Sequence, residues 1–123
     1  MIPGIATVRR VAMLCGIALP LAETVRRSAH LAQWWLWIDD YLIGAALLIG
    51  AWASRNRSPA GLRVLTAGWG IAAGMGYYSF VGHVMAAGVP DVSGAPGIAL
   101  AVAVGAGWLL ALAMLAASIV ALE

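Results

Sequence analysis

The chain contains no lysine, and its 123 residues include one cysteine, one phenylalanine, two histidines and only five acids. Each scarcity excludes something. With Cys15 alone, no internal disulfide and no thiolate metal cluster can form, and inside an apolar run it reads as a small packing residue. Charged residues make up 10% of the chain and hydrophobic ones 63%, with a mean hydropathy of +0.95. A soluble domain of this length has too little interior for that much apolar surface. All the positive charge comes from seven arginines, which leave a net charge of +2 and a pI near 9.2. They cluster at the ends of apolar runs, which suits phosphate head groups and topology signals and argues against a nucleic-acid partner. There is no nucleophile elbow, phosphate-cradling glycine loop or HExxH stretch, so no catalytic residue is assigned and no enzyme is expected.

What remains is apolar sequence punctuated by glycine. Runs at Trp34–Ala53, Val64–Gly88 and Ile98–Leu122 reach the roughly 20 residues that cross a bilayer as helix. The run Val11–Ala22 is shorter, about 18 Å as helix; starting at Ile5 it reaches about 27 Å if Arg9 and Arg10 snorkel to the head groups. Pro20 falls where a signal-peptide cut after Ala22 needs a small residue, so this segment is read as a retained helix bent near Pro20. The sequence therefore predicts an all-α, integral membrane four-helix bundle, with helices near 5–22, 34–53, 64–88 and 98–122. Residues 1–123 form one four-span domain. Polar turns fall at Ser54–Gly61 and Val89–Gly97, while Glu23–His30 continues as helix along the membrane surface. No internal repeat is visible, which disfavours an inverted-repeat transporter within one chain. If both termini are cytoplasmic, Arg9, Arg10, Arg55, Arg57 and Arg63 lie inside, against Arg26 and Arg27 outside. The positive-inside rule then favours N-in, C-in, in a bacterial-type inner (plasma) membrane crossed several times.

One stretch, WWLWIDDYLI, sets Asp39 and Asp40 in the second apolar run, about 8 Å below its start at Trp34. An antiparallel third helix brings His83 to the same level, with Tyr77 and Tyr78 deeper. Glu23, Arg26, Arg27 and His30 lie in the linker above. Three readings stay open for this cluster. The acids sit at the interface, paired with Arg26, Arg27 or His30 within a tryptophan belt; or one carboxylate works with His83 and the tyrosines in proton or cation coupling; or the carboxylates and imidazole hold a metal or cofactor. The last matches no ligand spacing, so neither metal nor cofactor is assigned. Gly68, Ala72, Gly76, Ser79 and His83 share one face of the third helix, and Gly70 with Gly74 adds a GxxxG pair on a neighbouring face; both suit close helix packing.

Length and helix number resemble small multidrug-resistance transporters, but those carry an acid midway along the first helix, and this helix has none. Dual-topology fluoride channels are similar in length but rely on phenylalanines, of which only Phe80 is present. Neither resemblance extends to the motifs. The leading functional expectation is a structural or accessory subunit, or an oligomer-forming bundle. Its partners would be the lipid bilayer and either further copies of itself or a larger membrane complex. The alternative is a homo-oligomeric small transporter or proton-coupled carrier using Asp39 or Asp40 with His83.

Overall fold

The computed structural model describes residues 2–36 and 38–123; Trp37 and the side chain of His30 lie outside the described residues. Helix α1 runs from Ile5 to Arg26, with Pro20 inside it. It carries the helix four residues past Ala22, so Glu23 and Arg26 belong to its last turns. Ser28–Leu36 winds as a tighter 3-10 helix, and α2 begins only at Asp39 and ends at Ala53. This moves the second helix relative to the expected 34–53. Asp39 and Asp40 are not one and a half turns inside a helix; they are its first turn, where carboxylates are favoured by the partial positive charge of the free N–H groups.

Helix α3 spans Pro59–Met85 and α4 spans Gly97–Val120. The early start of α3, five residues before the expected Val64, has a plain cause. The Ser58 hydroxyl accepts a hydrogen bond from the Gly61 N–H at 3.1 Å, and Pro59 occupies the first helical position, where its fixed φ and missing N–H cost nothing.

All four helices pack against one another, but they are not equally suited to lipid. Only α1 and α4 are long and apolar enough to cross a membrane. At 15 residues, α2 covers about 22 Å. In α3, glycines, Tyr77, Tyr78 and Ser79 dilute the apolar content. Of the four spans expected from the sequence, two meet that test of length and composition.

Each helix packs on its chain neighbour, α1 on α2, α2 on α3 and α3 on α4, whereas α1 and α4 meet only sparsely. The core lies toward the end where α1 starts. Val8, Ala12, Leu47, Leu65, Trp69, Met114 and Ala117 are buried together there. Arg9 was expected to reach the head groups. Instead it donates from Nε and Nη2 to the Ala51 carbonyl at 3.2 and 3.1 Å, taking up one of the free carbonyls in the last turn of α2.

Close approach, rather than large side chains, sets the helix spacing. A Cβ on Gly44 would lie 2.8 Å from the Gly16 carbonyl oxygen, and one on Gly68 would lie 2.8 Å from the Ala46 carbonyl oxygen. Both distances end on backbone, which cannot swing aside. Gly68→Val should therefore destabilise the protein by about 1–3 kcal/mol through overpacking. Gly70 has open space at the Cβ position, so Gly70→Ala should leave stability unchanged or raise it by about 0.5–1 kcal/mol through helix propensity. Denaturant titration of the two variants in mild detergent checks the contrast.

Candidate functional site

Because α1 and α4 pack at one end and part at the other, a cavity of about 600 Å³ opens between the four helices. Its walls are apolar: Cys15 and Leu19 from α1, Leu47 from α2, and Leu100, Val104 and Leu110 from α4. Its wide end is polar. Glu23, Arg26 and Arg27 reach it from the end of α1, Asp39 and Asp40 from the start of α2, Ser79 and His83 from the end of α3, and Asp91 from the α3–α4 connection. Antiparallel packing of chain neighbours places these segments at one end, since α1 and α3 finish where α2 and α4 begin.

The charges there are unequally matched. Glu23, 5% exposed, accepts from Arg26 Nη2 at 2.9 Å and Nε at 3.0 Å, and from Arg27 Nε at 2.5 Å. Arg26 also donates from Nη1 to Asp91 Oδ1, joining the end of α1 to the α3–α4 connection. Asp39 and Asp40 have no ion pair among the described residues, and Asp40 shares a side-chain hydrogen bond with the Glu23 carboxyl. Asp40 faces the charges of Asp39 and Glu23, with Arg26 within electrostatic reach. Four carboxylates thus stand against two guanidinium groups along the cavity wall, an excess of two negative charges when all are ionised.

His83 takes a third position. Its Nδ1 lies 2.8 Å from the Ser79 carbonyl oxygen. A carbonyl only accepts, so Nδ1 carries the proton and Nε2 of the neutral ring is the acceptor. His83 and the two aspartates line one cavity, with no hydrogen bond or ion pair between them among the described residues. Among the described residues, no group of three His, Cys, Asp or Glu side chains converges as metal ligands.

The expected site residues are distributed as follows. Asp39, Asp40, His83, Tyr78, Glu23, Arg26, Arg27, Ala72, Gly76 and Ser79 all line the cavity. Tyr77 does not; it is 55% exposed and packs its ring 5.5 Å from that of Trp108. The expected face from Gly68 to His83 splits. Gly68 seats α2, a Cβ on Gly76 would meet Trp108 of α4 at 3.3 Å, and the rest borders the cavity. Gly70 and Gly74 point into open space, Gly74 beside a shallow groove shared with Trp35, Ile38 and Met75. The expected pairing of the aspartates with Arg26 or Arg27 gives way to Glu23, which sits three and four residues before the two arginines in the same helix and so binds both locally.

Sequence reasoning missed three contributors. Asp91 is the one acid of a base-free connection, and its Oδ2 also accepts from the Ser93 N–H at 3.1 Å and the Ser93 hydroxyl at 2.7 Å. Trp108 donates from Nε1 to the Ala73 carbonyl at 3.1 Å, and its ring stacks on Phe80. Trp69 is 1% exposed, and its enclosed indole N–H has no acceptor among the described residues.

Partial burial pushes the Asp91 carboxyl upward, but the Ser93 hydrogen bonds and the Arg26 guanidinium outweigh it and hold the group below the ordinary carboxylate value. A carboxyl with a lowered folded pKa stabilises the fold above its unfolded pKa, near 4, and loses that contribution as pH falls through the folded value. Acidification from pH 5 to about pH 3 should therefore loosen the α3–α4 connection. In Asp91→Asn the connection should be looser already at pH 7 and should lose its own part of the pH dependence, leaving that of Glu23. Hydrogen exchange of residues 86–97 against pH reads both effects. Arg26→Ala should cost about 2 kcal/mol, less than the roughly 3–5 kcal/mol of a fully broken buried pair, because Arg27 still holds Glu23. Thermal unfolding measures that loss.

No family model, curated protein or solved structure matches this chain, so its function is argued from this geometry.

Proposed function

We propose that the protein is a small multi-pass membrane carrier that binds a cation or proton-coupled solute in its inter-helix cavity, with Asp39 and Asp40 supplying the charge and His83 a proton-accepting nitrogen. The observation that carries this reading is a cavity in which two carboxylates without ion-pair partners and an imidazole line one wall space. A membrane interior makes unpaired carboxylates costly, and where they persist beside a cavity they mark ion or proton pathways. The membrane setting is supported by α1 and α4 and by apolar side chains turned outward along them, such as Leu14 and Val102, each 68% exposed. In this reading α2 and α3 complete a four-span bundle. Arg9, Arg10, Arg55, Arg57 and Arg63 lie toward the end with both termini, so the cavity opens on the outer face of a bacterial-type inner membrane.

A second reading, a structural or accessory subunit acting through helix contacts, is favoured by the open face of α3 at Gly70 and Gly74. Small residues with nothing over them leave room for another helix. The two readings are compatible if the carrier is a homo-oligomer.

Purified protein in proteoliposomes separates them. Asp40→Asn should abolish pH-dependent cation uptake while expression and assembly persist, and Tyr77→Phe, outside the cavity, should leave uptake intact. Unchanged uptake in both Asp39→Asn and Asp40→Asn would remove the carrier reading. For the second reading, Gly74→Ile should shift the protein to monomers in analytical ultracentrifugation.

A further inference from the structure

Charge is divided between the two ends of the bundle. Four of the five acids, Glu23, Asp39, Asp40 and Asp91, lie at the cavity mouth with two of the seven arginines. The other five arginines lie at the opposite end, where α1 and α3 begin and α2 and α4 finish, with Glu123 as the one acid following α4 there. Arg9 is taken up by the Ala51 carbonyl. Arg10, Arg55, Arg57 and Arg63 are exposed, and none has an ion pair among the described residues. They gather around the end of α2: Arg10 follows the arginine that meets Ala51, and the first turn of α3 lies so close that a Cβ on Gly61 would run into the Ala53 carbonyl. Arg57 turns the chain between α2 and α3 at φ 54, so a cation stands where the backbone alone favours glycine. Hydrocarbon lies directly below these charges. Ile49 and Trp52 share a face of α2, 58% and 66% exposed. The Arg55 guanidinium carbon lies 4.2 Å from the Trp52 ring centroid, and Nη1 donates to the Trp52 carbonyl at 3.1 Å. On α3, Val64 is exposed beside Arg63.

We infer that this end of the protein binds an anionic phospholipid, with its phosphate among Arg55, Arg57 and Arg63 and its acyl chains along Ile49, Trp52 and Val64. Guanidinium groups select phosphate by charge and by paired N–H donors. The exposed apolar side chains then choose among phosphates. A free ion or a nucleic acid covers the arginines and leaves Ile49 and Trp52 in water, whereas a lipid meets both parts of the surface. A tryptophan ring carrying a cation also suits head-group depth. The inference rests on the membrane setting proposed above and not on transport through the cavity. In that topology the arginines face the inner leaflet, whose anionic lipids attract basic segments.

The test uses the full chain in mild detergent, with bound lipid counted by native mass spectrometry. Three probes are added in turn: phosphatidylglycerol, phosphatidylcholine with the same acyl chains, and inorganic phosphate. Wild type should bind phosphatidylglycerol about tenfold or more tightly than phosphatidylcholine, and excess inorganic phosphate should not displace it. Arg55→Gln with Arg63→Gln should weaken phosphatidylglycerol binding about 5- to 30-fold and leave phosphatidylcholine binding unchanged. Arg55→Lys with Arg63→Lys keeps the charge and should retain most of the preference. Both positions are exposed, so thermal unfolding should be unchanged in either variant. Equal binding of the two lipids to wild type overturns the inference without any variant. So does a glutamine variant that unfolds like wild type and keeps the full preference. Displacement of phosphatidylglycerol by inorganic phosphate assigns the arginines to a free anion and overturns the lipid. Flotation with vesicles after an alkaline wash separates the inference from the reading it rests on. A chain that floats but shows no lipid preference ends the inference alone; a chain that does not float ends the membrane setting as well.

Discussion

Arg26 is the group on which the wide end of the bundle depends. Its guanidinium holds Glu23 within α1 and Asp91 on the α3–α4 connection, and so links the first helix to the second half of the chain where the two have few apolar contacts. At the narrow end Val8, Ala12, Met114 and Ala117 bury one another and need no charge. Further out α1 and α4 part, and in the proposed membrane setting no hydrophobic force would draw them together, because acyl chains solvate leucine as well as leucine does. The ionic contacts fill that role. They also keep the cavity mouth at a fixed width, since Arg26 reaches its partners from both sides of the opening.

Glu23 explains why the aspartates have no ion-pair partner among the described residues. An acid three and four residues ahead of two arginines meets both of them across one helical turn, at no cost in chain closure. Asp39 and Asp40 come from another helix and compete for the same cations at a disadvantage. They remain at the start of α2, where the free N–H groups offset part of their charge, but that partial charge does not neutralise two carboxylates beside a third.

The helical class, four main helices and their order were legible in the sequence because long apolar runs bounded by Pro–Gly–Ser turns leave few alternatives to helix. Placing Asp39, Asp40 and His83 at a common level required only antiparallel neighbours. The boundaries were less legible. The start of α3 was signalled by Ser58-Pro59, but Arg63 hid it by breaking the apolar run. The start of α2 at Asp39 was hidden differently, because the tryptophans before it are as apolar as a helix interior while adopting the 3-10 form. The Glu23 pairing follows from spacing alone and was there to be read. The Arg26–Asp91 link was not, because it joins residues 65 apart in the chain and depends on the α1–α4 gap, which no local pattern encodes. Nor could the sequence separate Trp69 from Trp108. Each lies within an apolar helix beside small residues, and only the neighbouring backbone decides which indole finds a carbonyl.

That difference between two tryptophans bears on function. Elsewhere in the bundle, local polar groups are matched economically: Ser54 donates to the Gly50 carbonyl, Thr66 to Leu62 and Ser118 to Leu115, each within one turn. Such matching is the rule for buried polar atoms, which makes departures from it informative. Here the departures are the carboxylates at the cavity mouth, which have no ion-pair partner among the described residues, and the Trp69 indole N–H, enclosed in the core. Packing alone gives no reason for either: a phenylalanine at 69 would fill the core without an orphan donor, and asparagines at 39 and 40 would begin the helix without mutual repulsion. Local rules tend to be broken where a protein's function needs them broken, and a cation at the cavity mouth would offset the excess of acids there.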